Sequence, residues 1–248
     1  THVGTSCYVT CATKNVEGVE QLYCWGNNED GGVGTGNTAP VFEPTPVLEG
    51  HGSVHTFGHG EFFTCAAYDE GASLYCWGKN SSGQVGNGIA GNNHDEPTPH
   101  DVQFDYGVSE NGIRGGFGHV CVIDETHHLR CWGDRSKGQL GDGRVGIEAD
   151  DAQTVPPEVP LPYQWSSVAA FEDTTCGITV ENRLYCWGDN VLDRWVSAPR
   201  KRSLPSRNAS ACPDIASDAS NRRRLQGVHE EVRAHVPLDA WGPAALSD

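Results

Sequence analysis

One segment recurs along this chain and constrains its fold. It reads LYCWGNNEDGGVGTG at residues 22–36, LYCWGKNSSGQVGNG at 74–88, LRCWGDRSKGQLGDG at 129–143 and, cut short, LYCWGDN at 184–190. Its tryptophans, Trp25, Trp77, Trp132 and Trp187, stand 52, 55 and 55 residues apart. A period of this length indicates a repeat protein, in which each unit buries its apolar surface against its neighbours.

The segments between these copies predict short β-strands. A Cys-containing apolar run precedes each copy, at residues 5–12, 62–68, 119–123 and 174–180, and a Pro-rich extended run follows at 43–47, 96–100 and 154–159. A further short run leads into the next Cys strand, as at 53–60 and 166–171. Residues 1–193 show no helical periodicity, so the pattern predicts an all-β chain with four strands per repeat, as in a propeller blade.

The repeats resemble those of the regulator of chromosome condensation (RCC1-like) family. The run WGxNxxGQxGxG behind an apolar, Cys-containing strand carries the resemblance, although Gly32 replaces Gln in the first copy and Arg135 replaces Asn in the third. Members of the family fold as seven-bladed β-propellers. The resemblance therefore implies an incomplete propeller, with three complete blades at about 1–50, 51–106 and 107–162 and part of a fourth at 163–193.

The sequence changes character after residue 193. Residues 1–193 hold 27 acidic and 8 basic side chains, a net charge of −19, whereas 194–248 hold 6 acidic and 9 basic ones. The glycines of the repeat disappear, and the basic clusters RKR at 200–202 and RRR at 222–224 appear. We expect 194–248 to be a mostly disordered basic tail with one short helix at 227–236; a basic interaction arm is the alternative interpretation.

Composition narrows the class of protein. The acidic repeats repel phosphate, which argues against nucleic-acid binding. No apolar run is long enough to cross a membrane, so we expect no membrane insertion. The chain contains no Met, and we therefore expect a processed form or an excised fragment.

Ten cysteines predict disulfides within the hairpins. Three pairs place one cysteine on each arm of a hairpin, where opposed Cα atoms are close enough to be bridged: Cys65 with Cys76, Cys121 with Cys131, and Cys176 with Cys186. In the first repeat the spacing favours Cys11 with Cys24, while the match of TSC to TTC favours Cys7. The remaining cysteine is free, or pairs with Cys212 or with residues outside this chain.

The cysteines also bear on location. Regular pairing in every repeat predicts an extracellular or cell-envelope protein, whereas reduced cysteines would indicate the cytoplasm. Buried free thiols are the alternative to disulfides. Zinc is disfavoured because structural zinc sites usually contain CxxC pairs, which this sequence lacks.

Candidate functional residues are few. The tryptophans, at one per repeat, are predicted to pack between blades. Acidic loops are predicted to bind a protein partner, with calcium left open as a ligand: Glu29, Asp30, Glu148, Asp150 and Asp151. Glycosylation sequons begin at Asn80 and Asn208. No catalytic Ser-His-Asp grouping or carboxylate pair can be recognised, so we expect no enzyme, no metal and no cofactor.

We therefore expect a non-enzymatic protein-interaction module that binds its partner through acidic blade loops. The family resemblance implies a second function, guanine-nucleotide exchange on a small GTPase. Secreted members of the family suggest a third, inhibition of an enzyme. An open blade edge would also allow self-association.

Overall fold

The computed structural model describes residues 2–91, 94–145 and 157–189. The predicted tail, with Asn208 and Cys212, lies outside the described residues, and so do Glu148, Asp150 and Asp151. The described residues form four antiparallel sheets, each of which is one blade.

Each blade runs its strands in chain order from the inside outwards, and the first strands of successive blades contact one another. Blade 1 contains β1 Val3–Thr5, β2 Val9–Val16, β3 Val19–Gly26 and β4 Val41–Val47. Blade 2 contains β5 Val54–His59, β6 Phe63–Tyr68, a 3-10 helix at Asp69–Gly71, β7 Ser73–Gly78 and β8 Glu96–Val102. Blade 3 contains β9 Val108–Gly115, β10 His119–Asp124 and β11 Leu129–Gly133, with an isolated bridge from Arg130 to Glu158. Blade 4 contains β12 Trp165–Phe171, β13 Thr174–Thr179 and β14 Leu184–Gly188.

One strand prediction needs correction. Residues 5–12 were expected to form a single strand, but β1 ends at Thr5 and β2 begins at Val9. The break is a serine turn, in which Ser6 Oγ accepts the backbone N–H groups of Tyr8 and Val9 at 3.3 and 3.1 Å. Cys7 therefore lies in an exposed turn and Cys11 lies on the strand.

Burial shows which blades are covered on both sides. Strands β6 and β10 are buried at every position, because blades 2 and 3 each lie between two neighbours. The equivalent strands of the end blades, β2 and β13, alternate between buried and more exposed residues. Such alternation is typical of a sheet with only one face against a core. Blades 1 and 4 each present one uncovered sheet face in the part of the chain that the structure describes.

The two faces of each blade differ in chemistry. The repeated Trp lies on one face, which we name the leading face, and the two hairpin cysteines lie on the opposite, trailing face, since side chains alternate along a strand. The trailing face of one blade packs on the leading face of the next, and the three resulting apolar clusters form the core. Each large apolar side chain buried there contributes about 2 kcal/mol, so the blades stabilise one another mainly through these faces.

Four disulfides cross the hairpins. They join Cys11–Cys24, Cys65–Cys76, Cys121–Cys131 and Cys176–Cys186, with Cα atoms 4.0–4.2 Å apart. Each joins two residues that are directly paired in the sheet, and these are the pairs that the hairpin spacing predicts. Cys7 is also disulfide-bonded, so it is not a free thiol.

A hydrogen bond from the repeated Trp recurs at the three interfaces. The indole Nε1 atoms of Trp77, Trp132 and Trp187 donate to the main-chain oxygens of Gly32, Gln84 and Gln139 at 2.9, 3.0 and 2.9 Å. Each acceptor belongs to the Gly-rich loop of the preceding blade. Gly34 of the first loop approaches the same indole, since a Cβ added to it would lie 2.6 Å from Trp77 Nε1. Gly34 also has a φ of +87°, so both close approach and conformation require glycine there.

Candidate interaction surface

Two sets of connections lie at one end of blades 1, 2 and 3. The turn between the first and second strands and the Gly-rich loop after the third strand share this end, because the strands are antiparallel. We name it the acidic end; its turns are residues 6–8, 60–62, 116–118 and, in blade 4, 172–173, and its loops follow Gly26, Gly78 and Gly133. Backbone hydrogen bonds join successive turns, from Glu61 N to Gly116 O at 3.1 Å and from Phe117 N to Glu172 O at 2.9 Å.

A buried asparagine fixes the long loop of blades 1 and 2. Asn80 is fully buried, accepts a hydrogen bond from Val85 N at 3.0 Å and donates one to Ile89 O at 3.0 Å. Asn28 makes the equivalent bond to the backbone of blade 1. The sequon at Asn80 therefore coincides with a structural side chain, and a glycan on its amide nitrogen would disrupt these bonds.

Carboxyl groups crowd together at the acidic end. Burial raises the pKa of Asp30, and the charges of Asp95 and Glu29 raise it further. Burial also raises the pKa of Glu61, with Asp30 and Glu172 as neighbouring charges. Lys79 opposes both shifts without cancelling either.

The carboxyl cluster continues across blades 3 and 4. Burial is the largest cause of the raised pKa of Asp173, followed by the charges of Asp134 and Asp189. Across residues 2–91, 94–145 and 157–189, the carboxyl groups with a raised pKa are Asp30, Glu61 and Asp173, and all three lie at the acidic end. Their ionised forms are disfavoured by burial and by like charge.

Aromatic rings lie among these carboxylates. Tyr8 and Phe62 stack with centroids 4.8 Å apart. Lys79 Nζ lies 4.4 Å from the Phe62 ring centroid and 4.0 Å from Asp30 Oδ1, and Phe117 is 41% exposed. Rings beside carboxylates are the combination that binds Lys and Arg side chains.

Two histidines, the fully buried His119 and the mostly buried His59, act structurally at the blade interfaces. His59 Nδ1 lies 3.0 Å from Thr64 Oγ1, whose hydroxyl donates to Gly32 O at 2.8 Å. Because the hydroxyl hydrogen is already used, the His59 Nδ1–H is the donor. His119 Nε2 donates in the same way to Thr175 Oγ1 at 2.8 Å. Burial lowers the pKa of both histidines to about 4, so both are neutral at pH 7.

Only two of the five predicted partner-binding residues lie among the described residues. Glu29 and Asp30 lie at the acidic end, while Glu148, Asp150 and Asp151 lie outside the described residues. Sequence reasoning missed Glu61, Glu172 and Asp173, which immediately precede Cys-containing strands. Antiparallel order was the available signal, because it puts the turn before each Cys strand beside the loop after the WG. Partner binding by these residues stays a prediction.

Within the described residues, His, Cys, Asp and Glu side chains form no group of three or more that could hold a metal ion. The acidic loop around residue 150, where calcium was left open, lies outside them. No helix in the described ranges is long and apolar enough to cross a membrane.

Antiparallel blades stacked face to face around inner strands define a β-propeller repeat protein. The chain belongs to the regulator of chromosome condensation family: models of the regulator of chromosome condensation (RCC1) repeat match residues 20–67, 72–123 and 165–192. The resemblance carried by the LYCWG segments is confirmed.

The chain spans less than half the length of each similar protein named here. The ultraviolet-B receptor UVR8 of Arabidopsis thaliana is 29% identical over 169 residues, covering 66% of this chain and 36% of that protein. The mitochondrial RCC1 domain-containing protein RUG3 of the same plant is 26% identical over 197 residues, covering 76% and 42%. Human WBSCR16 shares the fold at a TM-score of 0.64 and 20% identity, covering 77% of this chain and 48% of that one. Prp20p of Saccharomyces cerevisiae shares the fold at a TM-score of 0.60 and 22% identity, and the match covers 76% of this chain and 44% of that one.

Proposed function

We propose that this chain is a protein-interaction module that binds a basic protein segment at its acidic end. The raised pKa values of Asp30, Glu61 and Asp173 carry this proposal. The free protein holds these carboxylates close together and partly buried, where their charges are unfavourable. A Lys- or Arg-rich segment would supply the counter-charge that Lys79 alone does not, and would stack on the exposed ring of Phe117. Perturbed carboxyls gathered at one surface are typical of functional sites.

Two solved structures support a protein as the partner. Yeast RCC1 (Prp20) has been solved bound to Kap60, and the structure of Prp20p was described together with its binding to Gsp1p and histones. The likeness to these structures is one of fold, so only the general class of partner is extended to this chain. The basic character of the partner rests on the charges at the acidic end.

The module is proposed to be non-enzymatic and to work outside the cell or in the cell envelope. The four hairpin disulfides support an oxidising compartment. The alternative function, guanine-nucleotide exchange on a small GTPase, would require a reducing compartment. An assay of nucleotide release distinguishes this alternative from the proposed binding role. Stimulated release by the oxidised protein would favour that alternative.

Calorimetric titration with a synthetic Lys/Arg-rich peptide tests the proposal. The triple variant Asp30→Asn, Glu61→Gln, Asp173→Asn should lose most of the affinity. A matched control, Asp69→Asn, Asp105→Asn, Glu125→Gln, changes exposed residues at the opposite end and should bind like the parent protein. Equal losses in both variants would show attraction by net charge alone, and an unaffected acidic-end variant would refute the site.

A further inference from the structure

One position of the inner strands differs between the blades. It is the residue paired with the first hairpin cysteine, and it is small in three blades: Gly4 opposite Cys11, Gly58 opposite Cys65, and Ala169 opposite Cys176. In blade 3 this residue is Arg114, opposite Cys121. Because directly paired residues share a sheet face, the position lies on the trailing face and points at the next blade. Arg114 therefore places a long, charged side chain between the inner strands of blades 3 and 4, which are in contact.

Blade 4 leaves room for this side chain. In blade 2 the corresponding inner strand covers Gly4 with large groups, since a Cβ added to Gly4 would lie 2.8 Å from the Phe57 ring and 3.3 Å from the His59 imidazole. The strand register places Ala170 of blade 4 where His59 stands in blade 2. A leucine or methionine would fill this space without a charge to desolvate, so packing alone does not explain a guanidinium at Arg114.

Arg114 lacks the ion pair that every other arginine of the described chain makes. Those four arginines each lie within 4.0 Å of a carboxylate oxygen: Arg130, Arg135, Arg144 and Arg183. The partly buried Arg114 guanidinium instead donates from Nη1 to the main-chain oxygen of Ile113 at 2.6 Å. Burial lowers its pKa, and no charge on the described residues opposes that shift. An anionic ligand would stabilise such a cation.

The other donors of Arg114 form a fork that matches a carboxylate. Nε and Nη2 lie side by side, and neither is among the atoms that are sealed in the interior without a partner. Two parallel N–H···O bonds to a carboxylate are the strongest use of such a fork. Residues 1–193 hold 27 acidic and 8 basic side chains, which disfavours ligands with several negative charges. A single carboxylate therefore fits both the fork and the charge of the protein.

We propose that Arg114 binds a single carboxylate between the inner strands of blades 3 and 4. The carboxylate accepts two hydrogen bonds, from Nε and Nη2, and it belongs to an acidic side chain of a partner protein or to a small organic acid. Both sources present the same chemistry, and the experiment separates them. The site uses none of the carboxylates at the acidic end, so it stands or fails independently of the proposed function.

NMR of the arginine Nε–H groups in the whole chain tests the proposal. The probe is the peptide acetyl-Gly-Glu-Gly-amide at constant ionic strength, and acetyl-Gly-Gln-Gly-amide is its neutral control. The Glu peptide should shift the Arg114 resonance saturably, and the Gln peptide should not. Arg183 is the internal control, because it is exposed and already paired with Glu181 at 3.1 Å. Arg114→Gln should weaken binding, followed at the Ala170 amide, by about tenfold, whereas Arg183→Gln should leave it unchanged.

Sodium acetate and sodium phosphate complete the experiment. Acetate that binds as tightly as the Glu peptide would assign the site to a small organic acid, and tighter binding of the peptide would assign it to a protein side chain. An Arg114 resonance that moves no more than that of Arg183, or moves equally with the Gln peptide, would overturn the proposal. This reading uses the parent protein, so it does not depend on a variant that folds. Phosphate that binds more tightly than both carboxylates would overturn the class of ligand.

Discussion

The indole nitrogen of Trp132 lies 3.0 Å from the main-chain oxygen of Gln84 and is the sole donor to that oxygen in the described structure. The equivalent oxygen of Gly32 accepts two hydrogen bonds, from Trp77 Nε1 and from Thr64 Oγ1. Val120 stands where Thr64 stands in blade 2, so blade 3 lacks the second donor.

This difference predicts unequal effects of the same substitution. Trp132→Phe leaves a buried oxygen without a donor, whereas Trp77→Phe leaves Thr64 in place. We expect Trp132→Phe to cost about 1–2 kcal/mol more in free energy of unfolding, measured by chemical denaturation. Adding Val120→Thr to Trp132→Phe should recover part of the loss. If both Trp→Phe variants lost the same free energy of unfolding and Val120→Thr recovered none of it, the indole hydrogen bond would not be what stabilises the interface between blades.

Acid should destabilise the protein through two histidines. His59 and His119 have a pKa of about 4 in the folded state, while an unfolded histidine titrates near 6.5. The unfolded chain therefore binds more protons between these values, so stability is complete above about pH 6.5 and falls toward pH 4, by about 3 kcal/mol per histidine. His59→Asn and His119→Asn should flatten this dependence, whereas His94→Gln, at an exposed position, should not. If the pH dependence of stability were unchanged in His59→Asn and His119→Asn, these histidines would not be the cause of the acid sensitivity.

The disulfides should be reduced in a defined order. Six of the eight hairpin cysteines are at most 1% exposed because the next blade covers them, but Cys176 and Cys186 lie on the uncovered trailing face of blade 4 and are partly exposed. Mild reductant followed by alkylation and peptide mass spectrometry should label this pair first among the four. Simultaneous opening of all four pairs would mean that the blades do not protect them.

The sequon at Asn80 should remain unmodified in folded protein. Its amide is buried and hydrogen-bonded within the loop, so a glycan and the native loop exclude each other. Intact mass of the folded fraction secreted from a glycosylating host should show no glycan at Asn80. A uniformly folded population that carries one there would disprove the role of Asn80 as the centre of the loop.

Much of this architecture could be predicted from the repeat. The LYCWG copies indicate the hairpins and their disulfide pairs, because strand period and turn residues are local properties. The predicted four strands are seen in blades 1 and 2, whereas the fourth strand expected in blade 3 is reduced to an isolated bridge at Glu158 in the described residues. The serine turn at Ser6 was missed because TSCYVTCA has strand composition throughout. The pairing of Cys11 with Cys24 depends on the register of a longer hairpin, which turns at Glu17 and Gly18.

The candidate site was harder to predict than the fold. Glu61, Glu172 and Asp173 come from turns far from Asp30 in the chain, and only the stacking of blades brings them to one end. Their raised pKa values depend on burial by neighbouring blades, which composition does not reveal. Likewise, the uncovered state of Trp25 follows from its place in the array, since its local sequence matches that of Trp77.

One comparison tests the central claim most directly: that the carboxylates at the acidic end serve binding at a cost in stability. A carboxyl group whose pKa is raised in the folded protein lowers the protein's stability as the pH rises and the group ionises. Replacing such a carboxyl group by the neutral amide should therefore stabilise the free protein at neutral pH. The variant Asp30→Asn, Glu61→Gln, Asp173→Asn should therefore have a higher free energy of unfolding at pH 7 than the parent protein, an advantage that shrinks in acid, and a weaker affinity for the Lys/Arg-rich peptide. A variant that is less stable than the parent, or that binds the peptide equally well, would contradict the account.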